Sequence, residues 1–360
     1  MRVLTVVGNR PQFVKAAAVS HRLRAVAEEV LVHTGQHHDD ELSRVFFAEH
    51  DLPTPEHLLD LGGGSNTTQT GRMLEALEPL LDAESPDAVL VYGDTNSTLA
   101  GGLAAAQAQI PVAHVEAGMR SFDRDMPEEL NRVLTDHLSS LLMCSSESSA
   151  QRLRDEAVHG QVVVVGDVMV DIFERIAQRA AVLSAALLEQ HGLRSGGFAM
   201  VTAHRAGTVD DPSRLARLVD LLLDLPLPVI FPLHPRTRAR LEAADRLRTL
   251  ESAPDVVLTP PLGSLDFTAL LLESRVVLTD SGGVQKEAYL AGVPCLTMRP
   301  RTERTETVDA GWNTLVDLDA AAVRAGIERD PPENRPPLYG DGHAGERVVD
   351  SLLAHLGSGR

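Results

Sequence analysis

Cysteine is scarce, with Cys144 and Cys295 the only two in 360 residues. So few thiols, without CxxC spacing, exclude a disulfide framework and a zinc cluster, and each is expected in a core. Aromatic residues make up 3% of the chain, too few for the stacking platforms that single-stranded nucleic acid or polysaccharide requires. Positive charge is also in deficit, with 33 Lys and Arg against 51 Asp and Glu, a formal −18. Such a surface repels nucleic acid and anionic membrane, so neither is expected as a partner. No unbroken apolar run is long enough to span a bilayer, although 43% of residues are hydrophobic. With no basic-then-apolar leader read at Met1, the expectation is a soluble, cytoplasmic protein. The length suits two domains with ample core. A diphosphate ligand would need its counter-charge gathered locally, so individual Arg and Lys residues near turns matter.

The clearest stretch is Val276 to Gly292, where the apolar run Val276-Val277-Leu278-Thr279 meets Asp280-Ser281-Gly282-Gly283 and then a helical pattern. It parses as strand, tight turn and helix. Ser281, Gly282 and Gly283 leave the first N–H groups of the helix open, and the helix dipole is positive there, so the turn suits an anion. Glu287 falls about one turn further on, placed to accept hydrogen bonds from a ribose hydroxyl pair. Phosphate at the turn and hydroxyls at the acid describe a nucleotide. Taken alone, the same residues also fit an ordinary strand-to-helix turn with a solvated Glu.

In chain order, Arg2 to Val7 is a β-branched run ending in Gly8-Asn9-Arg10-Pro11-Gln12. Pro11 suits the first turn of a helix, and Arg10 and Lys15 then sit at its start, in reach of an anion or simply as surface charge. The strand Val30 to Val32 leads into the His33 to Glu41 cluster. Its mixed spacing fixes no coordination geometry, so no metal is expected and ligand contact is the better reading. Arg72 follows on a helix, then strand Ala88 to Tyr92 runs into Gly93-Asp94-Thr95, and Val112 to Val115 into Glu116-Ala117-Gly118. Asp94 and Glu116 thus lie just past the carboxyl ends of successive strands, where open α/β sheets place ligands. Glu128, in Pro127-Glu128-Glu129, opens a helix, where an acid is also favoured by the dipole alone.

Leu141 to Cys144 and Val162 to Val165 close the first strand set, and Gly166 to about Gln190 reads as a connecting helical stretch. A second series follows in Phe198 to Thr202, Val229 to Phe231, Val256 to Leu258, Val276 to Thr279 and Cys295 to Met298. His204 and Arg205 end the first of these, His234 the second. Arg299, Arg301 and Arg304 follow the last, and a Pro-rich stretch from Pro331 to Pro337 precedes a final helix near Ala344 to Leu356. The fold class is therefore α/β, with two doubly wound Rossmann-like domains facing a central cleft.

Seven motifs in this order form a set: Gly8-Asn9-Arg10-Pro11-Gln12, Gly93-Asp94-Thr95, His114-Val115-Glu116-Ala117-Gly118, Pro127-Glu128-Glu129, Thr202-Ala203-His204-Arg205, Asp280-Ser281-Gly282-Gly283 and Thr302-Glu303-Arg304. From Met1 to about Gly345 the chain closely resembles the non-hydrolysing UDP-N-acetylglucosamine 2-epimerases. The resemblance implies the glycosyltransferase GT-B-like arrangement, a homodimer, a UDP-sugar substrate and no cofactor. It divides the chain into a domain at 1–168 carrying the acids, a UDP-binding domain at 169–340, and a helix at 341–360 returning to the first. The implied reaction inverts C2 of the sugar by eliminating UDP to a glycal and adding it back. Asp94, Glu116 and Glu128 match the family's essential carboxylates, crowded so as to raise their pKa values, and His204 its essential histidine. Arg10, Lys15, Phe267, Ser281, Gly282, Gly283, Glu287 and Arg304 match its UDP contacts. Some members bind a second nucleotide sugar as activator, for which His37, Arg72, Arg205 and His234 are the candidates here. Asn9 and Gln12 depart from the commoner opening of the family, and Gln12, Tyr92 to Thr98 and Gly166 to Met169 lean towards a sister group acting on UDP-2,3-diacetamido-glucuronic acid. A UDP-sugar glycosyltransferase on the same scaffold is the alternative from another class.

Overall fold

The computed structural model describes residues 1–36 and 52–358, and the chain divides into two units. Unit 1 comprises Met1–Ile172 and Tyr339–Arg360, and unit 2 is Phe173–Leu338.

Unit 1 is built on a parallel sheet of β1 (Arg2–Val7), β2 (Glu28–His33), β3 (His57–Leu58), β4 (Ala88–Tyr92), β5 (Val112–Ala117), β6 (Leu141–Cys144) and β7 (Gln161–Val164), in the spatial order 3-2-1-4-5-6-7. Most of these strands read as unbroken Val, Leu and Ala because helices cover both faces and little alternation is needed. The order reverses between β1 and β4, so Gly8-Asn9 and Gly93-Asp94 end neighbouring strands at the switch point. Gln12 ties these ends together. Its Nε2–H donates to the Tyr92 carbonyl at 2.8 Å, while its Oε1 accepts from the Gly8 N–H at 2.7 Å. Gly8 has no room for a side chain, since a Cβ would overlap the Ser97 hydroxyl. The small-residue helix Asn96–Gln107 packs tightly on the sheet as its composition predicts, with Gly101 against Val6 and Val91.

The final helix Ala344–Ser358 packs on the helix Arg10–Val26. Its start is held by Asp171, which accepts from the Ala344 N–H at 3.1 Å and the Gly345 N–H at 2.9 Å. A carboxylate from a distant helix thus satisfies orphan donors that the segment's own residues leave open.

Unit 2 repeats the plan with β8 (Ala199–Thr202), β9 (Val229–Pro232), β10 (Val256–Thr259), β11 (Val276–Thr279), β12 (Cys295–Thr297) and β13 (Asn313–Leu315), all parallel, in the order 10-9-8-11-12-13. Its switch point falls between β8 and β11, which brings His204-Arg205 beside Asp280 to Gly283. The connecting stretch after Gly166 is two helices, Val168–Ala180 and Ser184–His191. Two strands, β3 and β13, are not legible in the sequence because two or three residues establish no period. Among the described residues no helix is long and apolar enough to cross a membrane.

Candidate active site

In unit 1 Asp94 lies in the turn after β4, whereas Glu116, expected just past β5, is the last residue but one of that strand, and each acid has a cation. Glu116 pairs with Lys15, which projects from the helix Arg10–Val26. Burial alone would lower the lysine, yet Glu116, with Asp94 and Asp167 further off, holds its ammonium above the usual range. Asp94 pairs with Arg132 from the helix Pro127–Leu138. The second arm of that guanidinium meets Glu129 Oε2 at 2.7 Å. Asp94 and Glu116 are both half-buried, and a carboxylate partly withdrawn from water is stabilised by such a counter-charge. Glu128 is exposed on the first turn of its helix.

The backbone beneath these acids is unusual. Gly93 has φ of +65° and Glu116 φ of +72°. For a glutamate this left-handed conformation costs roughly 1–2 kcal/mol. The pairing of β5 with β6 slips a register between Val115 and Ala117, so Glu116 sits on an irregularity that re-aims its side chain. Gly93 is needed on two counts, its φ and the space above it. A Cβ there would lie 3.1 Å from Lys15 Nζ and 3.4 Å from Glu116 Oε2.

Glu129, which the sequence reading passed over, holds the preceding loop. It accepts from the Ser121 N–H and hydroxyl at 2.8 and 2.9 Å and from the Phe122 N–H at 3.0 Å. Burial works the other way, but these donors and Arg132 bring its carboxyl down to about 2. Further in, His114 and Asp136 are both fully buried and bonded to each other at 2.7 Å. The Arg120 guanidinium also meets Asp136, at 2.7 Å. Burial opposes it, but His114 and Arg120 hold the Asp136 carboxyl below its usual range. The signal for this polar face was present in Glu129, Arg132 and Asp136, spaced three and then four residues apart on one helix.

In unit 2 Asp280, wholly buried, accepts from the His204 N–H at 3.1 Å and the Arg205 N–H at 2.9 Å. It thereby fixes the turn after β8. The His204 ring places Nδ1 3.8 Å from Asp280 Oδ1 and lies 5.4 Å from the His234 ring. Burial, with help from the His204 ring and Arg236, pushes His234 below its ordinary range. The helix Gly282–Ala291 begins without a side-chain cap from Ser281, whose N–H instead donates to Thr279 Oγ1 at 2.9 Å. Glu303 packs against Gly282 and is held by Arg299 at 2.9 Å and Arg205 at 3.1 Å. Arg304 precedes the short helix Thr305–Asp309 and donates its N–H to Thr302 Oγ1 at 3.1 Å. Phe267, on the helix Ser264–Glu273, leans on the core formed by Leu270, Leu271 and Val277.

The expected residues therefore fall into two groups. Lys15, Asp94, Glu116, Glu128 and Arg72 belong to unit 1, and His204, Arg205, His234, Phe267, Ser281 to Gly283, Glu287 and Arg304 to unit 2. The side chain of Arg10 and the whole of His37 lie outside the described residues.

Burial pushes the Glu287 carboxyl up to about 7, against the pull of Lys286. If the ionised form accepts ribose hydroxyls, UDP affinity rises with pH through about 7 and falls below it. Stability of the free protein moves the other way, since a raised carboxyl pKa favours the fold at low pH and loses that contribution as pH climbs through the folded value. Titrating UDP into wild type and Glu287→Gln from pH 5.5 to 8.5 checks this. UDP's own ionisation is common to both proteins, so an identical pH slope in the two would discard the role.

A family model described as UDP-N-acetylglucosamine 2-epimerase matches residues 21–353. A UDP-N-acetylglucosamine 2-epimerase homolog from Methanococcus maripaludis is 41% identical over 354 residues, covering 98% of this chain and 99% of the relative. The UDP-2,3-diacetamido-2,3-dideoxy-D-glucuronate 2-epimerase of Pseudomonas aeruginosa is 43% identical over 365 residues, with the same two coverages. Among solved structures, the Methanocaldococcus jannaschii UDP-GlcNAc 2-epimerase in complex with UDP-GlcNAc and UDP aligns with a TM-score of 0.82 at 37% identity, covering 98% of this chain and all of that one.

Proposed function

Because the chain belongs to the UDP-N-acetylglucosamine 2-epimerase family, we propose that this isomerase of nucleotide sugars interconverts UDP-GlcNAc and UDP-ManNAc. One of the carboxylates takes the C2 proton, and the C–H pair forms a C1–C2 double bond as the C1–O pair leaves with UDP. UDP oxygen then adds back to C1 while C2 takes a proton from a carboxylic acid on the opposite face. A C2 hydrogen without an adjacent carbonyl is hard to remove, so departure of the diphosphate must be stabilised as it happens. We assign that task to the turn Ser281 to Gly283 with Arg304 and Arg10, the uracil to Phe267 and the ribose to Glu287.

The supporting observation is the pairing of Glu116 with Lys15 and of Asp94 with Arg132 at the ends of adjacent strands. Two acids with separate cations suit a reaction that moves a proton on one face of C2 and restores it on the other. In this reading Glu128 and His204 orient the sugar and the departing diphosphate. Incubation with UDP-GlcNAc in deuterated water is expected to place deuterium at C2 of both epimers; intact protein that leaves C2 unlabelled would falsify the proposal.

The P. aeruginosa relative favours a second reading, in which the substrate is the diacetamido uronate. Running both UDP-sugars through the same exchange assay separates the two by relative kcat/KM. Arg72, Arg205 and His234 remain candidates for an activating second nucleotide sugar.

We further propose a cytoplasmic homodimer. Both cysteines are free and buried, as suits a reducing compartment. Met126 at the cap of the helix Pro127–Leu138, and Leu130 and Leu134 on it, stand exposed at four-residue spacing, an apolar stripe for a second copy to cover. Sedimentation equilibrium at micromolar concentration is expected to give twice the chain mass, and a monomer there would refute it.

A further inference from the structure

His114 takes no part in the chemistry above, yet the backbone beside both acids converges on it. Its Nε2–H donates to the Gly93 carbonyl at 2.7 Å, and its Nδ1–H to Asp136 Oδ1 at 2.7 Å. Asp136 also accepts from the Gly118 N–H at 3.1 Å and from Arg120 at 2.7 Å. One ring and its carboxylate thereby join three pieces of backbone. These are the turn in which Gly93 precedes Asp94, the segment two residues past Glu116, and the helix whose previous turn presents Arg132 to Asp94.

Both stretches of backbone beside the acids need such holding. Gly93 and Glu116 are left-handed, and backbone of that kind persists only where the surroundings over-determine it. Lys15 Nζ and Glu116 Oε2 lie immediately over Gly93, so a tilt of that peptide moves the acid pair with it. A displacement of about 1 Å at reacting groups is enough to cost about a hundredfold in rate.

We propose that His114 is a positioning residue for the epimerisation. Its Nε2–H pins the Gly93 carbonyl, and through it Asp94 and the Lys15–Glu116 pair, while Asp136 fixes the plane of the ring. The inference rests on the reading of Asp94 and Glu116 as the reacting acids.

Two near-isosteric substitutions separate this role from a structural one. The amide nitrogen of glutamine reaches the place of Nε2, and that of asparagine the place of Nδ1. His114→Gln therefore keeps the Gly93 bond and leaves Asp136 without its imidazole, and His114→Asn does the reverse. Positioning predicts that His114→Gln holds kcat within about fivefold while His114→Asn loses about a hundredfold, with KM and UDP affinity unchanged in both. A purely structural role predicts the opposite order, because stripping a partner from a buried carboxylate is the more damaging loss. Melting temperature reads that separately, and His114→Gln is expected to be the lower.

Equal kcat losses, or none, would overturn the proposal. So would a wild-type 15N spectrum in which the His114 Nε2 carries no proton, a measurement that requires no variant to fold. Wild-type turnover in Asp94→Asn and Glu116→Gln would instead strike the functional reading beneath it. With those two inactive, a reversed order at His114 would strike the inference alone.

Discussion

Glu116→Gln is expected to lower turnover by about 10²- to 10⁴-fold, the usual worth of a positioned acid–base group, while UDP affinity stays within about twofold of wild type. The substitution keeps the shape of the side chain and removes its charge and its ability to take a proton. The left-handed backbone at this position is no harder for glutamine than for glutamate, so the irregularity in β5 is retained. Lys15 loses its nearest counter-charge but keeps the longer-range attraction of Asp94 and Asp167. The nucleotide contacts proposed for unit 2 are untouched by the change. Asp94→Asn is expected to behave alike, with the added release of Arg132. Steady-state epimerisation beside calorimetric UDP titration provides the comparison. Turnover at the wild-type level in either variant removes that acid from the reaction.

Gly283→Asp should abolish UDP binding without unfolding the protein. Gly283 is exposed, its backbone is not left-handed, and the nearest atom to an added Cβ is Ser281 Oγ at 3.7 Å. An aspartate in the first turn of a helix is otherwise mildly stabilising, so the melting temperature is expected to hold or rise. A carboxylate about 4 Å from a phosphate costs about 4 kcal/mol at an effective dielectric of about 20, which is roughly a thousandfold in affinity. High salt should recover part of the loss, since an exposed repulsion is screened. Gly283→Ala is the neutral control, with room for its methyl group. Equal binding by wild type and Gly283→Asp would mean that the diphosphate lies elsewhere.

Much of this arrangement was legible in the sequence, for reasons that differ from element to element. Strands such as Ala88–Tyr92 and Val276–Thr279 stand out because burial on both faces writes them as apolar runs. Turns after them stand out because close approach demands small residues, as at Gly8 and Gly93. What the sequence does not express is which charge meets which. Lys15 sits among residues that suggest an anion, and it meets Glu116 from a strand about a hundred residues away. Glu128 and Glu129 are adjacent, but successive helical positions point about 100° apart, so one is exposed and the other buried. Only the phase set by Arg132 and Asp136 distinguishes them, and that phase becomes informative once the helix has a neighbour to face. The left-handed backbone of Glu116 gave no warning at all, because nothing in a glutamate announces a conformation usually left to glycine.

The return of the last helix to unit 1 sets a timetable for the newly made chain. Unit 2 is one uninterrupted segment and can close as soon as it leaves the ribosome, whereas unit 1 waits for residues after Tyr339 before Asp171 finds its amides. The half that holds Asp94 and Glu116 is thus begun first and finished last, and a chain cut short near its end would emerge with unit 2 assembled and unit 1 still open.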